Sequence, residues 1–283
     1  MTDYPESSGI ERAIIIPLDG SRTAACAFGA AEAMARLLQV SLHVVHVTDE
    51  ALPEERLAEF LNLGPAHAKE IVFHQSAGEV ANVILELGTR LDVSMIVMSS
   101  HGRTHNAGLV AGSVAMAVIQ QCDIPLMILR PLRQGMPGHD WQPARMLIPH
   151  DGSPVTAREV DQVFNLARLM GADIDVLHVA AGARQPVEVG AFTAPRYLDR
   201  PHYDWSGWAD EFMRRFATRQ PEARVRLVYQ TGDTVKETLA FARENHEDLI
   251  ALVWHGRMEG KRAATVKGIL MQAEVPVLLK RIK

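Results

Sequence analysis

The sequence predicts an α/β protein built from two tandem domains, each a doubly wound, parallel, five-stranded sheet between layers of helices. Short apolar runs rich in Ile, Val and Met alternate with stretches of helical spacing, a pattern typical of parallel strands buried on both faces. One series of motifs also occurs twice in the same order, so the 283 residues contain two copies of one unit. Two domains suit this length, because domains usually have about 100–200 residues.

The repeat is visible as matched segments. Asp19-Gly20-Ser21 ends an apolar run and matches Asp151-Gly152-Ser153 at an offset of 132 residues. Later matches have offsets of 154 and 151 residues, so the second copy carries an insertion and then a short deletion. The further matched pairs are HVVHV with DVLHV, Gly78 with Gly232, His101-Gly102-Arg103 with His255-Gly256-Arg257, and the apolar runs around Pro125 and Pro276.

These matches predict domains at residues 1–132 and 145–283, joined by a Pro- and Gly-containing linker at 133–144. The second copy has 22 extra residues, within roughly Gly182–Pro221. This insertion is aromatic, and it either packs against its own domain or forms a surface for a partner or a hydrophobic ligand. Its aromatic residues are Phe192, Tyr197, Tyr203, Trp205, Trp208, Phe212 and Phe216.

The elements of the first copy follow from local patterns. Ala13–Leu18 is a short apolar run stopped by Asp19-Gly20, which predicts a buried strand. Thr23–Gln39 is rich in Ala, Leu and Met at helical spacing, and Ser41–Val47 is rich in β-branched residues. The same reasoning predicts helices at Glu54–Leu63, Glu79–Arg90 and Ser113–Gln121, and strands at Ile71–His74, Val93–Met98 and Ile124–Leu129.

Composition and motifs exclude several functional classes. A net charge of −5 argues against a protein that binds duplex nucleic acid, and no apolar stretch is long enough to cross a bilayer. The polar segment Met1–Arg12 has no signal-peptide pattern, so we expect a cytoplasmic protein. Two cysteines, Cys26 and Cys122, make no disulfide framework. The sequence contains no P-loop, nucleophile-elbow or zinc-protease motif, which predicts a protein that is not an enzyme.

The segment Met98–Ser113 is the richest in candidate binding residues. It leaves a predicted strand, passes Gly102 and enters a helix at Gly112-Ser113. Glycine allows close backbone approach, and the free N–H groups of a helix N-terminus attract anions. The segment therefore suits a phosphate cradle, or else an ordinary loop in which Ser113 caps the helix. His101 and His105 fall in the same segment but have no third ligand at metal spacing, so we expect no metal site.

This segment resembles the nucleotide-binding motif of the universal stress protein family, which reads Gly, two residues, Gly, nine residues, then Gly-Ser or Gly-Thr. Here Ser99, Gly102 and Gly112-Ser113 have the same spacing, with Ser99 in place of the first glycine. The resemblance implies an adenine nucleotide alpha-hydrolase-like fold that binds ATP or AMP. It also implies that Asp19 contacts the nucleoside and that the backbone of Val47 contacts the adenine. Serine at position 99 is strained if that position needs positive φ, and it is acceptable if only a small residue is required.

The nearby Arg103 carries a charge that suits a phosphate, or it is simply solvated. The second copy keeps Asp151 and Val179 but has Val253-Trp254 and Ala263-Ala264 where the first has Ser99-Ser100 and Gly112-Ser113. We therefore expect at most one nucleotide site, in the N-terminal half.

The family resemblance further implies a regulatory role in stress response, a homodimer and an unidentified regulatory protein partner. It also implies an intrachain pseudo-dimer in which Ile124–Leu129 pairs with Val275–Lys280. Two alternatives stay open: a scaffold that binds partners through the aromatic insertion without any nucleotide, and a weak ATP hydrolase.

Overall fold

The computed structural model describes residues 12–64, 70–102, 111–131, 136–150, 163–180, 224–254 and 260–281. Its strands are β1 (Ala13–Pro17), β2 (Ser41–Val47), β3 (Ile71–Ser76), β4 (Val93–Ser99), β5 (Leu126–Leu129), β6 (Arg145–Pro149), β7 (Asp173–Ala180), β8 (Val225–Thr231), β9 (Leu249–Trp254) and β10 (Val277–Arg281). Its helices are α1 (Arg22–Ala25), α2 (Phe28–Leu38), α3 (Glu54–Phe60), α4 (Val80–Arg90), α5 (Ser113–Gln121), α6 (Thr234–Glu244) and α7 (Gly260–Gln272). Residues 163–170 are also helical.

The described strands form one sheet in the order β3-β2-β1-β4-β5-β10-β9-β6-β7-β8. Each half is parallel and has its first strand at the centre, so the order reverses beside β1 and beside β6. The halves meet through the antiparallel pair β5 and β10, in which Val277 lies opposite Ile128 and Leu279 opposite Leu126. The two predicted five-stranded domains and their pairing into an intrachain pseudo-dimer are therefore confirmed.

The sheet is buried on both faces, which explains its nearly continuous apolar strands. One cluster of buried side chains joins α2 and α3 to residues 163–170 and includes strand residues of both halves. The cluster on the opposite face joins α4 and α5 to α6 and α7. Because both clusters cross the β5–β10 boundary, the two halves share a continuous core on each face of the sheet.

Several element boundaries differ from the sequence expectation. The single helix predicted at Thr23–Gln39 is divided into α1 and α2, because the N–H of Ala27 bonds the carbonyl of Ala24 at 3.2 Å and tightens the chain there. Strand β3 extends two residues beyond His74. Strand β5 starts at Leu126 rather than Ile124, since Pro125 has no N–H to donate to a neighbouring strand.

The repeat seen in the sequence is reproduced in side-chain contacts. The ring Nδ1 of His46 donates to the carbonyl of Leu18 at 2.8 Å, and the ring Nδ1 of His178 donates to the carbonyl of His150 at 2.9 Å. Each histidine thus ties the second strand of its domain to the segment that follows the first strand. His46 in the first copy and His178 in the second are therefore structural residues.

Candidate functional site

A cleft of about 200 Å³ opens at the carboxyl ends of β1, β2 and β4 in the first domain. Ligands of open α/β sheets bind at this edge, where the strand order reverses. Six of the seven predicted site residues line the cleft, and Arg103 lies outside the described residues. The six are Asp19, Val47, Ser99, Gly102, Gly112 and Ser113.

Asp19 follows β1 and organises the turn into α1. Its Oδ1 accepts hydrogen bonds from the backbone N–H of Ser21 at 2.9 Å and from the Ser21 hydroxyl at 2.6 Å. The Ser21 hydroxyl oxygen in turn accepts from the N–H of Ala24 at 3.1 Å and caps α1. The carboxylate is therefore held in one orientation, with Oδ2 directed toward Gly102.

Gly102 is required by this close approach rather than by its backbone angles. A Cβ atom at position 102 would lie 2.7 Å from Asp19 Oδ2, much closer than such atoms pack. The φ angle of Gly102 is outside the left-handed region, which among the described glycines holds Gly20, Gly78, Gly171 and Gly232. The Thr23 hydroxyl donates to the carbonyl of Gly102 at 2.8 Å. The turn after β1 and the loop after β4 are thereby joined.

Ser99 is accommodated without backbone strain. It is the last residue of β4, pairs in register with Leu129 and is not among the described non-glycine residues with positive φ. Its side chain is 6% exposed, and its hydroxyl oxygen accepts from the N–H of His101 at 3.3 Å. The position does not have positive φ, so of the two alternatives the structure favours the one that tolerates serine.

The N-terminus of α5 forms the opposite wall of the cleft. Gly112 is the N-cap residue and Ser113 is the first helical residue, so Ser113 is not the cap that the alternative reading of this segment assumed. The N–H of Gly112 donates to the carbonyl of Ser100 at 2.7 Å, which fixes the helix start beside β4. The N–H groups of Ser113, Val114 and Ala115 belong to the first turn, where a helix has no internal acceptor for them. This end of the cleft therefore suits an anion.

The remaining wall of the cleft is apolar. Val45 and Val47 come from β2, Met98 from β4 and Val80 from the start of α4. A cleft with one apolar wall and one wall of helix amides suits a ligand that has an apolar part at one end and an anionic group at the other.

Sequence reasoning missed two polar residues around the cleft, Thr23 and Ser100, and considered a third, His101, only as a metal ligand. The hydroxyl of Thr23 bonds Gly102, and the buried Ser100 hydroxyl lies 2.9 Å from the Nδ1 atom of His101. Ser100 and His101 lie between the motif residues Ser99 and Gly102, and this position could have indicated that they border the cleft. No local pattern around Thr23 indicates its distant partner, Gly102. His105 lies outside the described residues, and within the described ranges no three His, Cys, Asp or Glu side chains are grouped to hold a metal ion.

The second domain replaces the corresponding polar positions with apolar ones. Trp254, at the end of β9, is buried in the cluster that contains Leu252 and Val266. Helix α7 begins at Gly260, so Ala263-Ala264 lies inside the helix and not at its start as the sequence alignment of the two copies implied. Asp151 and the aromatic insertion lie outside the described residues.

No helix within the described ranges combines the length and apolar character that crossing a membrane requires.

Comparison with known families decides the identity of the fold. The sequence profile of the Universal stress protein family matches residues 11–130 and 144–281. The chain belongs to the universal stress protein family.

Two universal stress proteins, from Mycobacterium bovis and Mycobacterium tuberculosis, are each 23% identical over 95% of this chain and 95% of their own. A solved protein of Pseudomonas aeruginosa UCBPP-PA14, assigned to the same family, covers 96% of this chain and 93% of its own, with a TM-score of 0.66 and 12% identity. A universal stress protein from Archaeoglobus fulgidus covers 95% and 96%, with a TM-score of 0.63 and 18% identity. The tandem universal stress protein fold thus spans whole chains of these proteins. A further universal stress protein was solved in complex with cAMP and covers 50% of this chain with a TM-score of 0.38.

Proposed function

We propose that this universal stress protein is a non-catalytic regulatory module that binds ATP or AMP at one site in its N-terminal domain. The observation that supports this most is the meeting of Asp19, Gly102 and the N-terminus of α5 around one cleft at the point where strand order reverses. A carboxylate, a closely approached glycine and a set of helix amides complement the ribose and phosphate groups of a nucleotide.

The proposed nucleotide has an orientation that the different character of the two ends of the cleft supports. In this proposal the adenine packs against the apolar wall at Val47, and the backbone of Val47 contacts it as the family resemblance implies. The ribose lies beside Asp19, and the phosphates extend along Gly102 to Gly112 and Ser113, with Arg103 as a further phosphate contact. Among the described residues that line the cleft, Asp19 is the only acidic side chain, and it is engaged with Ser21. The site is therefore suited to binding rather than to turnover.

In this proposal the nucleotide acts by favouring one conformation or one partner contact over another. A ligand changes such an equilibrium only when it binds the two states with different affinity. We place this activity in the cytoplasmic stress response, with a homodimer of whole chains and a regulatory protein as the partners.

The domain boundaries in this proposal are 1–132 and 145–283, and residues 133–144 join the two domains. Limited proteolysis tests these boundaries, because cleavage is expected within 133–144.

The test is a measurement of bound and added nucleotide on the full chain. Purified protein is denatured and the supernatant is analysed for adenine nucleotides, and stripped protein is then melted with increasing ATP or AMP. A ligand at ten times its dissociation constant adds roughly 1.4 kcal/mol, which raises the melting temperature of a chain of this length by about 2–3 °C.

We expect Gly112→Val to abolish this rise, because the branched side chain is introduced at the start of α5. Ala264→Val is the matched control: Ala264 is exposed on α7 and belongs to the position that aligns with Gly112-Ser113 in the second domain. Equal rises in both variants, or no rise in the wild-type protein at millimolar nucleotide, would overturn the proposal and leave the scaffold alternative as the better account.

A further inference from the structure

A cavity of about 310 Å³, the junction cavity, lies where the two domains meet, on the face of the sheet that carries α2 and residues 163–170. Its apolar lining includes Leu38 and Val40 from the first domain and Leu166, Leu169 and Leu278 from the second. Small-molecule sites have volumes of about 300–1,000 Å³ and are largely apolar. The junction cavity therefore has the size and lining of a site for a small ligand.

A pseudo-twofold axis relates the junction cavity to a second position on the same face of the sheet. Strands β5 and β10 pair antiparallel with Leu278 opposite Met127, and these two residues correspond in the repeat, so the axis passes between them. Pro125, which lines the junction cavity, corresponds to Pro276 on the other side of the axis. The two sides can therefore be compared residue by residue.

The linker between the domains lies at the equivalent position on the other side of the axis. Trp141 of the linker packs against the buried cluster that the two halves share on this face. Gln142 donates through Nε2 to the carbonyl of Met170 at 3.5 Å, and Met170 is the equivalent of the cavity residue Leu38. An indole ring of the chain itself therefore covers apolar residues on that side.

The exposure of two equivalent leucines shows the difference between the sides. The linker lies against α2, where a Cβ atom at Gly29 would lie 2.4 Å from the carbonyl oxygen of Pro137. Leu37 on α2 is half-buried and packs against the shared cluster. Its equivalent in the second domain, Leu169, lines the junction cavity and is 55% exposed. The same position is thus covered on one side and, within the described ranges, open to solvent on the other.

The junction cavity also differs from its equivalent in charge. Lys280 lines it at the position where the other side has Leu129, a residue that is 1% exposed. The Lys280 ammonium donates to the carbonyl of Asp123 at 3.4 Å and makes no ion pair with another described residue. Arg12 and Asp92, which also line the cavity, pair with each other at 3.4 Å. Lys280 therefore gives the lining a net positive charge.

We propose that the junction cavity binds a small aromatic carboxylate. Its ring occupies the position that Trp141 occupies on the other side of the axis, and its carboxylate faces Lys280. The ring covers the exposed Leu169 and packs on Leu278, so burial of apolar surface supplies the attraction. The ammonium of Lys280 donates a charge-assisted hydrogen bond to the carboxylate and selects an anion over a neutral ring.

This site is separate from the nucleotide cleft. The junction cavity is lined by Arg12, Asp92 and Ser94, which lie at the amino ends of β1 and β4, whereas the nucleotide cleft opens at the carboxyl ends of the same strands. Binding of the aromatic acid therefore does not require the nucleotide site, and each site is tested with its own ligand.

The test is a calorimetric titration of the full chain with indole-3-acetate, and with indole-3-acetamide as a neutral analogue of the same size. We expect the acid to bind up to about fivefold more tightly than the amide, as an accessible ion pair provides. Lys280→Met should abolish this difference and Lys280→Arg should restore it. Leu169→Trp should abolish binding of both compounds, because its indole fills the cavity. Met271→Trp, which enlarges an exposed apolar side chain outside the cavity, is the matched control and should bind like the wild-type protein.

Five results would overturn the proposal. The first two are no binding at millimolar acid, and equal affinities of the wild-type protein for the acid and the amide. Loss of binding in Gly112→Val would place the acid in the nucleotide cleft. Binding that requires removal of residues 1–11 would assign the cavity to the chain's own first residues. Dissociation of a dimer by Leu169→Trp in sedimentation would assign the cavity to a second copy of the chain.

Discussion

Replacing Gly102 by alanine tests how the cleft is constructed. The added Cβ atom would lie 2.7 Å from Asp19 Oδ2, so the carboxylate has to rotate away from its present position. Rotation breaks the two hydrogen bonds that Asp19 accepts from Ser21, at 2.9 and 2.6 Å. Loss of hydrogen bonds to a partly buried carboxylate costs about 1.5–3 kcal/mol, and solvent reduces this to roughly 1–2 kcal/mol here.

Gly112→Ala is the matched comparison, because a Cβ atom at Gly112 meets its nearest heavy atom, the carbonyl oxygen of Ser100, at an ordinary 3.6 Å. That variant loses only part of the N-cap preference, about 0.5–1 kcal/mol. Denaturant unfolding and melting with ATP separate the two variants. We expect Gly102→Ala to lose both stability and the nucleotide-induced rise, and Gly112→Ala to keep the rise. A Gly102→Ala protein that binds ATP like the wild-type protein would show that the orientation of Asp19 has no part in the site.

Two further results are expected from stability and thiol measurements. Leu278→Ala should destabilise the protein by about 2–5 kcal/mol in denaturant unfolding, since Leu278 is 1% exposed and lies opposite Met127 at the junction of the domains. Leu169→Ala, at a leucine that is 55% exposed, should change the free energy of unfolding little. Equal effects of the two variants would contradict the shared core. Burial raises the pKa of the Cys122 thiol to about 11. Iodoacetamide at pH 8 should therefore modify Cys122 in the native protein at least about a hundred times more slowly than a free cysteine, and unfolding should remove the difference. Rapid modification of the native protein would refute the buried thiol.

The location of the candidate site was predictable because its parts have local signals. Asp19 stops an apolar run, and Gly112-Ser113 precedes a helical pattern that the structure reproduces at Ser113–Gln121. Parallel strands place their carboxyl ends at one edge, so residues distant in sequence were expected to converge there. The contact between Thr23 and Gly102 was not predictable, because the two residues are 79 positions apart and neither side of the bond has a distinctive pattern.

The sequence alone determined the tandem repeat, the alternation of strands and helices and the convergence of the motif residues, since each depends on periodicity and order along the chain. Only the tertiary structure decided that Ser99 has an unstrained backbone, that Gly102 is needed for its approach to Asp19, and that the Thr23 hydroxyl bonds the carbonyl of Gly102. These features depend on distances between separate elements and on the exclusion of water, and neither quantity is encoded in any single stretch of sequence.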